Sequence, residues 1–556
     1  MTIAPRALFL FGALSAAAVG AVIAGACSAS PDNKSSSGDG GDTGGNGDPS
    51  GSSGSGGINI DVDGGSGGGF VGDPKTCEQA ASTKSYIGCE FYPTVVANIA
   101  WSIFDYAVVV ANAGEEPASV TVSRGSQTIA TEQIPSNELR KIYLPWVKEL
   151  KGADMNECTG AVPMTATVRV ADGAYHLVSD RPVTVYQFSA LEYAAAGGPP
   201  GKDWSSCPAQ SCGLQCFSYT NDASLLLPTN ALTGNYRITA QAGWEQLGMG
   251  AYFAVTGTQD NTTVTVKVSA TGDILPGGGI QSTGPNGLLT FPINKGEVVE
   301  LVSSGSADLG GSLVSASAPV QVITGIPCTQ SPIGTQACDH IEESVFPAET
   351  LGKHYFVTVP TGPNGDVVGH VVRLYGNVDN TQLTYLGAKP PNAPPAINAG
   401  QVVDLGVVNG DFEITGDHEF AVGSFMLGAQ LVDPFSQQAD QRGDPAQSQS
   451  TAVEQYRTKY IFLAPDDYDF SYVDVVKPMD AAVMIDGQPI AAATTPISSD
   501  FGIARVKLGP GVQGAHVLTA TAPVGIQVFG YGSYTSYHYP GGLDLKAIAP
   551  PPPPPK

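Results

Sequence analysis

The apolar residues of this chain recur in short alternating runs that are separated by polar turns. In the run Thr263-Val264-Thr265-Val266-Lys267-Val268, valine occupies every second position and Thr or Lys occupies the positions between. Because successive side chains of a β-strand point to opposite faces, this alternation predicts antiparallel strands with one buried face. Gly (69 residues) and Pro (42 residues) are frequent, which favours many turns over long helices. The pattern predicts a mainly β protein.

The alternating runs themselves repeat along the chain. Each copy opens on an aromatic strand, at Tyr106, Tyr252, Tyr355 and Tyr460, and closes on a strand that is often preceded by Pro-Val. The openings recur at intervals of roughly a hundred residues or more, which predicts four divergent modules. Five or six short strands in each module favour antiparallel β-sandwiches, in tandem or packed on one another. A radial, propeller-like arrangement of the four modules is the alternative.

The composition predicts where these modules begin and end. Residues 28–70 are rich in Gly, Ser and Asp and predict a disordered tether, and six prolines precede the final Lys556. The predicted divisions are a signal peptide at 1–27, the tether at 28–70, a first module with a Cys-rich insert at 71–217, a second at 218–328, a third with a disulfide-loop connection at 329–445, a fourth at 446–545 and a Pro-rich tail at 546–556.

The N-terminus has the features of an export signal. One positive charge, Arg6, precedes an apolar run, and Ala24-Gly25-Ala26-Cys27 resembles a bacterial lipobox, with Ala24 where Leu is commonest. The sequence therefore predicts a lipoprotein that is anchored through Cys27 to the bacterial cell envelope, at the outer membrane or the cell surface. Ordinary signal cleavage and an uncleaved anchor are the alternatives.

Charge and cysteine content restrict the partners and the compartment. Acidic residues outnumber basic ones 51 to 26, for a net charge of −25, so nucleic acid is not expected as a partner. Lipidation of Cys27 would leave eight of the nine cysteines, an even number suited to disulfide bonds in an oxidising compartment. Spacing suggests the pairs Cys77/Cys89 and Cys328/Cys338. The trio Cys207, Cys212 and Cys216 is odd, so one of its members must bond elsewhere, with Cys158 as the candidate.

Four segments together resemble a known family. They are the stretch from 218 to 240, "QDNTTVTV", "APVQVITG" and "CDHIEESVFPAETLGKHYFVTVP" at 338–360. They are similar to the N-terminal domain family of IgGFc-binding protein, which includes bacterial lipoproteins, and the resemblance covers about residues 77–545. It implies a binding role, but family likeness alone does not identify the ligand. No catalytic residue is carried over from the family.

The candidate chemistry is sparse. Cys338, Asp339, His340, Glu342 and Glu343 crowd into "PCTQSPIGTQACDHIEES", yet a Cys328–Cys338 bond would remove the thiolate that a nucleophile needs. We therefore expect this segment to be a disulfide-clamped connection between modules, with Asp339 and His340 in a turn or linker. No metal or other cofactor is expected; the weak calcium candidates are Asp466, Asp467 and Asp469. Tyr531, Tyr534, Tyr537 and Tyr539 would offer a weak ligand-binding surface if they are exposed. The favoured alternative is that they lie at a sheet rim and only close the final module.

These features favour a surface-displayed, lipid-anchored β-repeat protein that binds an extracellular protein or glycan, in adhesion or another envelope interaction. The chain contains no recognisable catalytic spacing, so an enzyme is not expected. Two alternatives are a secreted hydrolase or metal-dependent enzyme and a purely structural envelope protein. The sequence leaves the ligand and the oligomeric state open.

Overall fold

The computed structural model describes residues 73–156, 160–509, 511 and 514–556. The predicted signal peptide, Cys27, the tether and Cys158 lie outside these residues. The described residues form antiparallel strands with three short helices, α1 (Cys77–Ser82), α2 (Lys148–Lys151) and α3 (Ala429–Val432), and five 3-10 turns, at Pro208–Cys212, Glu245–Leu247, Ala348–Thr350, Gln438–Asp440 and Val453–Gln455. The mainly β prediction is confirmed. None of the helices in this part of the chain is long and apolar enough to cross a membrane.

The strands form four repeats with the same pairing scheme. The first repeat contains β1 (Gly88–Phe91), β2 (Tyr106–Asn112), β3 (Ala118–Arg124), β4 (Gln127–Ile134), β5 (Glu138–Leu144), β6 (Val168–Val170), β7 (His176–Ser189) and β8 (Asp222–Leu226). One four-stranded sheet has the order β5-β2-β7-β8, and the other has the order β4-β3-β7-β1. We call the first the axial sheet and the second the flanking sheet. Strand β6 pairs with a strand of the second repeat.

The second and third repeats follow the same order. The second contains β9 (Asn235–Arg237), β10 (Tyr252–Gly257), β11 (Thr262–Lys267), β12 (Leu288–Ile293), β13 (Val298–Val302), β14 (Leu313–Ala316), β15 (Val320–Thr329) and β16 (Asp339–Ser344). The third contains β17 (His354–Val357), β18 (His370–Gly376), β19 (Thr381–Gly387), β20 (Ala396–Ile397), β21 (Val402–Val408), β22 (Phe412–Gly416), β23 (Phe420–Met426) and β24 (Gln447–Gln449). Their axial sheets are β13-β10-β15-β16 and β21-β18-β23-β24, and their flanking sheets are β12-β11-β14-β9 and β20-β19-β22-β17.

The fourth repeat ends on the last strand of the described chain. It contains β25 (Arg457–Leu463), β26 (Phe470–Pro478), β27 (Val483–Ile485), β28 (Gln488–Pro489), β29 (Thr494–Pro496), β30 (Phe501–Lys507), β31 (Ala515–Gly532) and β32 (Thr535–Pro540). Its axial sheet is β30-β26-β31-β32, and its flanking sheet is β28-β27-β31-β25. The Pro-rich tail follows, and Ile548 and Ala549 donate backbone hydrogen bonds to the carbonyl of Glu349.

The Pro-Val dipeptides mark where the chain passes from the flanking sheet to the axial sheet. In the first and fourth repeats a single long strand, β7 or β31, makes this passage, with Pro182-Val183 and Pro523-Val524 inside it. In the second repeat Pro319 separates β14 from β15. Proline has no N–H to donate to a neighbouring strand, so it suits a position where pairing with one sheet stops and pairing with the other begins.

Each repeat buries apolar side chains between its two sheets. In the third repeat, residues of the axial sheet such as Val372 and Leu374 share a core with residues of the flanking sheet such as Leu383 and Ile414. Residues of β10 in the second repeat, Tyr252 and Ala254, instead join the core of the first repeat. The repeats are therefore sandwich-like and packed on one another, in a four-bladed propeller-like arrangement.

The last strand of each axial sheet lies at the centre of this arrangement. Strand β8 lies against β16 and β32, and β24 also lies against β16 and β32. We call β8, β16, β24 and β32 the inner strands. Strands β8, β16 and β24 pair with β7, β15 and β23 and complete the axial sheets of the first, second and third repeats. These three strands lie after the predicted boundaries at residues 217, 328 and 445, so the repeats extend beyond those boundaries.

Candidate functional site

The inner strands are fully buried, yet many of their side chains are polar. Every residue of the four strands is buried, and the polar ones include Asp222, Ser224, Asp339, His340, Glu342, Glu343, Ser344, Gln447, Ser448, Gln449, Thr535, Ser536 and His538. Buried polar groups are costly unless they are hydrogen-bonded. The centre of the molecule is therefore where a ligand or a specific hydrogen-bond network is expected.

One carboxylate connects all four inner strands. Asp222 lies at the start of β8, and its Oδ2 accepts hydrogen bonds from the backbone N–H groups of Glu342 in β16 (3.0 Å) and Gln447 in β24 (2.8 Å). Its Oδ1 accepts from the backbone N–H of His538 in β32 (3.1 Å) and from Ala223 (2.9 Å). Burial raises the pKa of Asp222, while backbone N–H donors act to lower it. Asp222 is a structural cross-link between the four repeats.

Glu342 is the centre of a second buried network. Its Oε1 accepts hydrogen bonds from Gln187 Nε2 (2.9 Å) and Ser224 Oγ (2.8 Å), and its Oε2 lies 3.1 Å from His340 Nε2. The side chains of His340 and Glu342 are both 0% exposed. A histidine and a carboxylate thus meet here, and both are completely buried in the core.

A pocket of about 740 Å³ lies where the inner strands begin. The segments that connect β7 to β8, β15 to β16, β23 to β24 and β31 to β32 all contribute to its lining, so each repeat supplies part of it. The lining residues are Ile99, Met155, Gly213, Leu214, Gln215, Phe217, Tyr219, Gln336, Ala337, Cys338, Gln437, Gln438, Ala439, Asp444, Ser533 and Tyr534. Its volume is within the range that is usual for ligand sites. We call it the axial pocket.

Asp444 is the charged residue of the axial pocket. It is 1% exposed, and neither of its carboxyl oxygens has a hydrogen-bond partner among the residues that the structure describes. Asp339, the first residue of β16, lies close enough for its pKa to be raised by the charge of Asp444 in addition to burial. Burial also raises the pKa of Asp444 well above its ordinary value. The described residues that line the pocket include no Lys or Arg. This end of the core therefore holds acidic groups without a compensating cation.

Two tyrosines of the pocket have an unusual backbone. Tyr219 (φ 55°) and Tyr534 (φ 51°) both occupy the left-handed region, which bulky residues rarely adopt. Such conformations cost on the order of 1–3 kcal/mol and are concentrated at functional sites. The charge of Asp444 contributes to raising the pKa of Tyr534, after burial, so the two residues are neighbours. The pocket combines strained aromatic walls with a buried acidic group.

Comparison with known families supports a binding role. The family model described as IgGFc binding protein matches residues 222–530, which is more than half of the chain. The chain belongs to the IgGFc binding protein family. The match begins at Asp222 and includes the inner strands β8, β16 and β24, and the resemblance inferred from the sequence is confirmed. The family is named for binding and not for a catalytic activity.

A curated relative is found in animals. Human IgGFc-binding protein is 25% identical over 325 residues, which is 57% of this chain but 6% of the human protein. The chain therefore corresponds to a small part of that relative. Among solved structures, an anti-sigma factor domain-containing protein from Clostridium clariflavum covers 57% of this chain and 83% of its own length, at 11% identity and a TM-score of 0.11. A rhamnosidase from Bacillus sp. GL1 covers 83% of this chain and 55% of its own length, at 8% identity and a TM-score of 0.11. These scores are too low to support an argument.

The structure corrects the interpretation of "PCTQSPIGTQACDHIEES". Cys328 and Cys338 are bonded, as the spacing predicts, and their Cα atoms are 5.4 Å apart, within the usual range for a disulfide bond. Asp339 and His340, however, do not lie in a turn or a linker between repeats, because they begin the inner strand β16 and are 0% exposed. The prediction of a turn or linker at Asp339 and His340 was wrong because the strand DHIEES is short and mostly polar, so it lacks the apolar alternation that indicates a strand. The segment closes the second repeat and lines the axial pocket through Gln336, Ala337 and Cys338.

Three of the four candidate tyrosines are not at the surface. Tyr531, Tyr537 and Tyr539 are 0% exposed, so the expectation of an exposed aromatic surface is wrong for them. Strand β32 is an inner strand, and its aromatic side chains pack in the core, where Tyr537 and Tyr539 also contact Phe188 of the first repeat. Tyr534 is half-buried and lines the axial pocket, so it is the tyrosine of this group that a ligand can reach.

The calcium candidates are each engaged by protein groups. Asp467 accepts from the backbone N–H of Tyr193 (3.0 Å), and Asp469 accepts from Tyr193 Oη (2.9 Å) and Arg442 Nε (2.6 Å). Asp466 lies 3.4 Å from Lys141 Nζ. Burial raises the pKa of Asp467 to about 6. No cluster of three or more potential metal ligands occurs among the described residues.

Two disulfide bonds close loops that line the axial pocket. The Cys328–Cys338 bond closes the loop of the second repeat, and the Cys207–Cys216 bond closes a loop of the Cys-rich insert that contains Gly213, Leu214 and Gln215. A third bond joins Cys77 to Cys89, and Cys212 is also disulfide-bonded. Disulfide bonds of this kind are typical of exported proteins. The Cys328–Cys338 and Cys207–Cys216 bonds restrict the motion of the loops that line the pocket.

Two important residues were not identified from the sequence. Asp222 precedes a leucine run, and Asp444 lies in a polar segment where its one local signal is the dipeptide Asp444-Pro445, which is typical of turns. Neither pattern indicates a buried carboxylate. Their roles depend on the meeting of four strands that are far apart in sequence.

Proposed function

We propose that this chain is a surface-displayed, lipid-anchored binding protein that recognises an extracellular protein partner through the axial pocket and its rim. The observation that carries this proposal is the pocket itself. Loops of all four repeats line it, and both oxygens of Asp444 lack a partner in the described ranges of the chain. A purely structural envelope protein would not need such a pocket.

The connecting segments that line the pocket also carry exposed apolar side chains that suit a protein partner, and we call these side chains the rim. Phe435 is 91% exposed, Ile333 is 45% exposed, Leu431 is 43% exposed and Leu214 of the pocket lining is 40% exposed. Exposed aromatic and aliphatic groups at the edge of a pocket are typical anchors of protein interfaces.

The loops that carry three of these side chains are held together. Gly428 N–H donates to the carbonyl of Ser331 (2.9 Å), and Gln438 Nε2 donates to Gln336 Oε1 (2.9 Å). The disulfide-closed loop of Ile333 is therefore joined to the segment that carries Leu431 and Phe435. A partner would meet this rim as one preformed surface, with little ordering cost on binding.

The name of the human relative suggests the first partner to test, the Fc region of immunoglobulin G. Because the chain corresponds to 6% of that protein, Fc binding is one member of a panel of extracellular proteins, and neutral glycans form a second panel. Adhesion to a surface that displays the partner would follow from binding at a cell envelope.

A photo-crosslinking residue at position 435 tests the site of binding. The full chain, displayed on cells, is incubated with purified Fc and with the other panel proteins, and cross-linked products are identified by mass spectrometry. The control places the same residue at Leu386 in β19 of the flanking sheet, which is 54% exposed. A product that forms from position 435 but not from position 386 supports the proposal. Equal cross-linking from both positions, or binding of glycans alone, contradicts it.

Anchoring through Cys27 is tested separately. We expect incorporation of a labelled fatty acid into the wild-type protein and none into Cys27→Ser, with the variant released from the membrane fraction. Equal fatty-acid labelling of the two proteins would contradict the anchor and would leave the binding site untouched.

A further inference from the structure

Among the residues that the structure describes, the lining of the axial pocket includes no Lys or Arg to balance its acidic end. We infer that it receives a positively charged side chain, Arg or Lys, that the protein partner inserts onto Asp444 between the walls formed by Tyr219 and Tyr534. This inference rests on the proposed function, because it specifies the chemistry of the partner at that same pocket.

Asp444 is positioned to bind a donor that comes from outside the protein. Asp444 is 1% exposed and belongs to the pocket lining, and both of its carboxyl oxygens lack a partner within the described part of the chain. A buried carboxylate normally has several hydrogen bonds, because an unsatisfied one is costly. Its backbone N–H is satisfied by Ser536 Oγ (3.0 Å), so the segment is held in place while the carboxyl group is left available.

The charged groups around Asp444 favour a cation over an anion. Asp339 of β16 is a second buried carboxyl group beside it, and Asp222 of β8 lies near enough to act on Asp339. Arg442, two residues away, is directed elsewhere, since its Nε donates to Asp469 (2.6 Å). A cation that enters favours the ionised form of these carboxyl groups and so lowers their pKa. The low dielectric of the pocket then strengthens the resulting ion pair.

The pocket walls suit the same ligand. Phe217, Tyr219 and Tyr534 supply aromatic faces, and Gln215, Gln336 and Gln438 supply neutral hydrogen-bonding groups. Aromatic faces attract ammonium and guanidinium groups, and tyrosine adds a polar hydroxyl. The volume of about 740 Å³ is larger than one side chain needs, so neighbouring residues of the partner can enter with it.

A neutral glycan is the competing ligand, since sugars also stack on tyrosine and donate to carboxylates. The charge of the ligand distinguishes a glycan from a basic side chain. A sugar gains little from the ionic form of Asp444, whereas a guanidinium group gains a charge-assisted, potentially bidentate pair. Removing the charge of either member should therefore weaken binding of a basic side chain much more than binding of a sugar.

The test measures binding of N-acetyl-arginine methylamide and of its neutral citrulline counterpart to the full chain by isothermal titration calorimetry. We expect saturable binding of the arginine probe and at least about 10-fold weaker binding of the citrulline probe. Asp444→Asn should weaken binding of the arginine probe about 10- to 100-fold, the effect of losing a charge-assisted hydrogen bond. Asp500→Asn, at an exposed aspartate in the fourth repeat, is the matched control and should bind as the wild type does.

Three results would overturn the inference: equal binding of the two probes, unchanged binding by Asp444→Asn, or no saturable binding of the arginine probe. The comparison of probes on the wild-type protein needs no variant, so it stands even if Asp444→Asn misfolds. Phe435→Ser separates this inference from the proposed function, because Phe435 lies on the rim and not among the pocket-lining residues. Partner binding that is lost in Phe435→Ser but retained in Asp444→Asn would support the proposed function and reject the basic side chain.

Discussion

Asp222→Asn is the substitution that best tests how the four repeats are held together. Asp222 accepts backbone hydrogen bonds from Glu342, Gln447 and His538, one from each of the other inner strands. Asparagine preserves the shape of the side chain but replaces one carboxyl oxygen with an NH₂ group. Because each oxygen of Asp222 accepts two N–H groups, the variant leaves two of the four donors without an acceptor in either orientation of the amide.

The expected cost follows from these two donors. A buried N–H without a partner costs on the order of 1–3 kcal/mol, so the variant should lower the free energy of opening the inner strands by about 2–6 kcal/mol. In native-state hydrogen exchange this corresponds to an increase of at least about 30-fold in exchange rate. The increase should appear together in peptides that contain β16, β24 and β32, because one side chain serves all three strands.

Asp417→Asn is the control for this measurement. Asp417 is exposed, and its Oδ1 accepts one backbone hydrogen bond, from Gln382 (2.8 Å). The asparagine carbonyl can replace that acceptor, so exchange on the inner strands should not change. If Asp222→Asn accelerated exchange in β8 alone, or left all four inner strands as protected as in the wild type, the cross-linking role of Asp222 would be wrong.

Three further predictions concern stability. Burial raises the pKa of Glu300 from 4.5 to about 8, so the folded protein keeps a proton that the unfolded chain releases, and stability should fall by about 1.4 kcal/mol per pH unit between these values. In chemical denaturation at a series of pH values, Glu300→Gln should remove this part of the decline in the free energy of unfolding. If the free energy of unfolding fell with pH equally in both proteins, the prediction would be wrong. Replacing both Cys328 and Cys338 with Ser should lower the free energy of unfolding by about 2–3 kcal/mol and increase proteolysis of the loop that the bond closes. If the loop resisted proteolysis as well as that of the wild type, the bond would be dispensable. Tyr186→Phe should cost about 1 kcal/mol in the same denaturation assay, because the buried hydroxyl donates across repeats to the carbonyl of Ile461 (2.8 Å); an unchanged midpoint would mean that this bond contributes nothing.

The sequence pattern was most informative where strands are half-buried. Alternation in Thr263–Val268 predicted a strand, and the strand β11 spans Thr262–Lys267 with Val264 and Val266 in the core. The aromatic openings at Tyr106, Tyr252 and Tyr355 are each buried in a strand, although Tyr106 and Tyr252 lie in the second strand of their repeats and Tyr355 lies in the first. Local side-chain periodicity reports which face of a strand is buried, and that information is present in a single stretch of sequence.

The candidate site was harder to predict because its residues meet only in the folded chain. Asp339 and His340 follow a disulfide-closed loop, and this context is typical of a turn. Tyr537 and Tyr539 were candidates for a binding surface because exposed tyrosines give a large contact area. In both cases the inner strands are enclosed on two sides by other repeats, so polar and aromatic residues are buried alike.

The sequence by itself thus determined the β class, the fourfold repetition, the family and two of the disulfide pairs, since each depends on local periodicity, spacing or similarity. Only the tertiary structure decided that four last strands converge, that Asp222 joins them and that Asp444 is left unpaired in a pocket. The physical reason is that hydrogen bonding and burial at the centre depend on distances between Asp222, Glu342, Gln447 and His538, which lie in four different repeats. No single stretch of the chain contains that information.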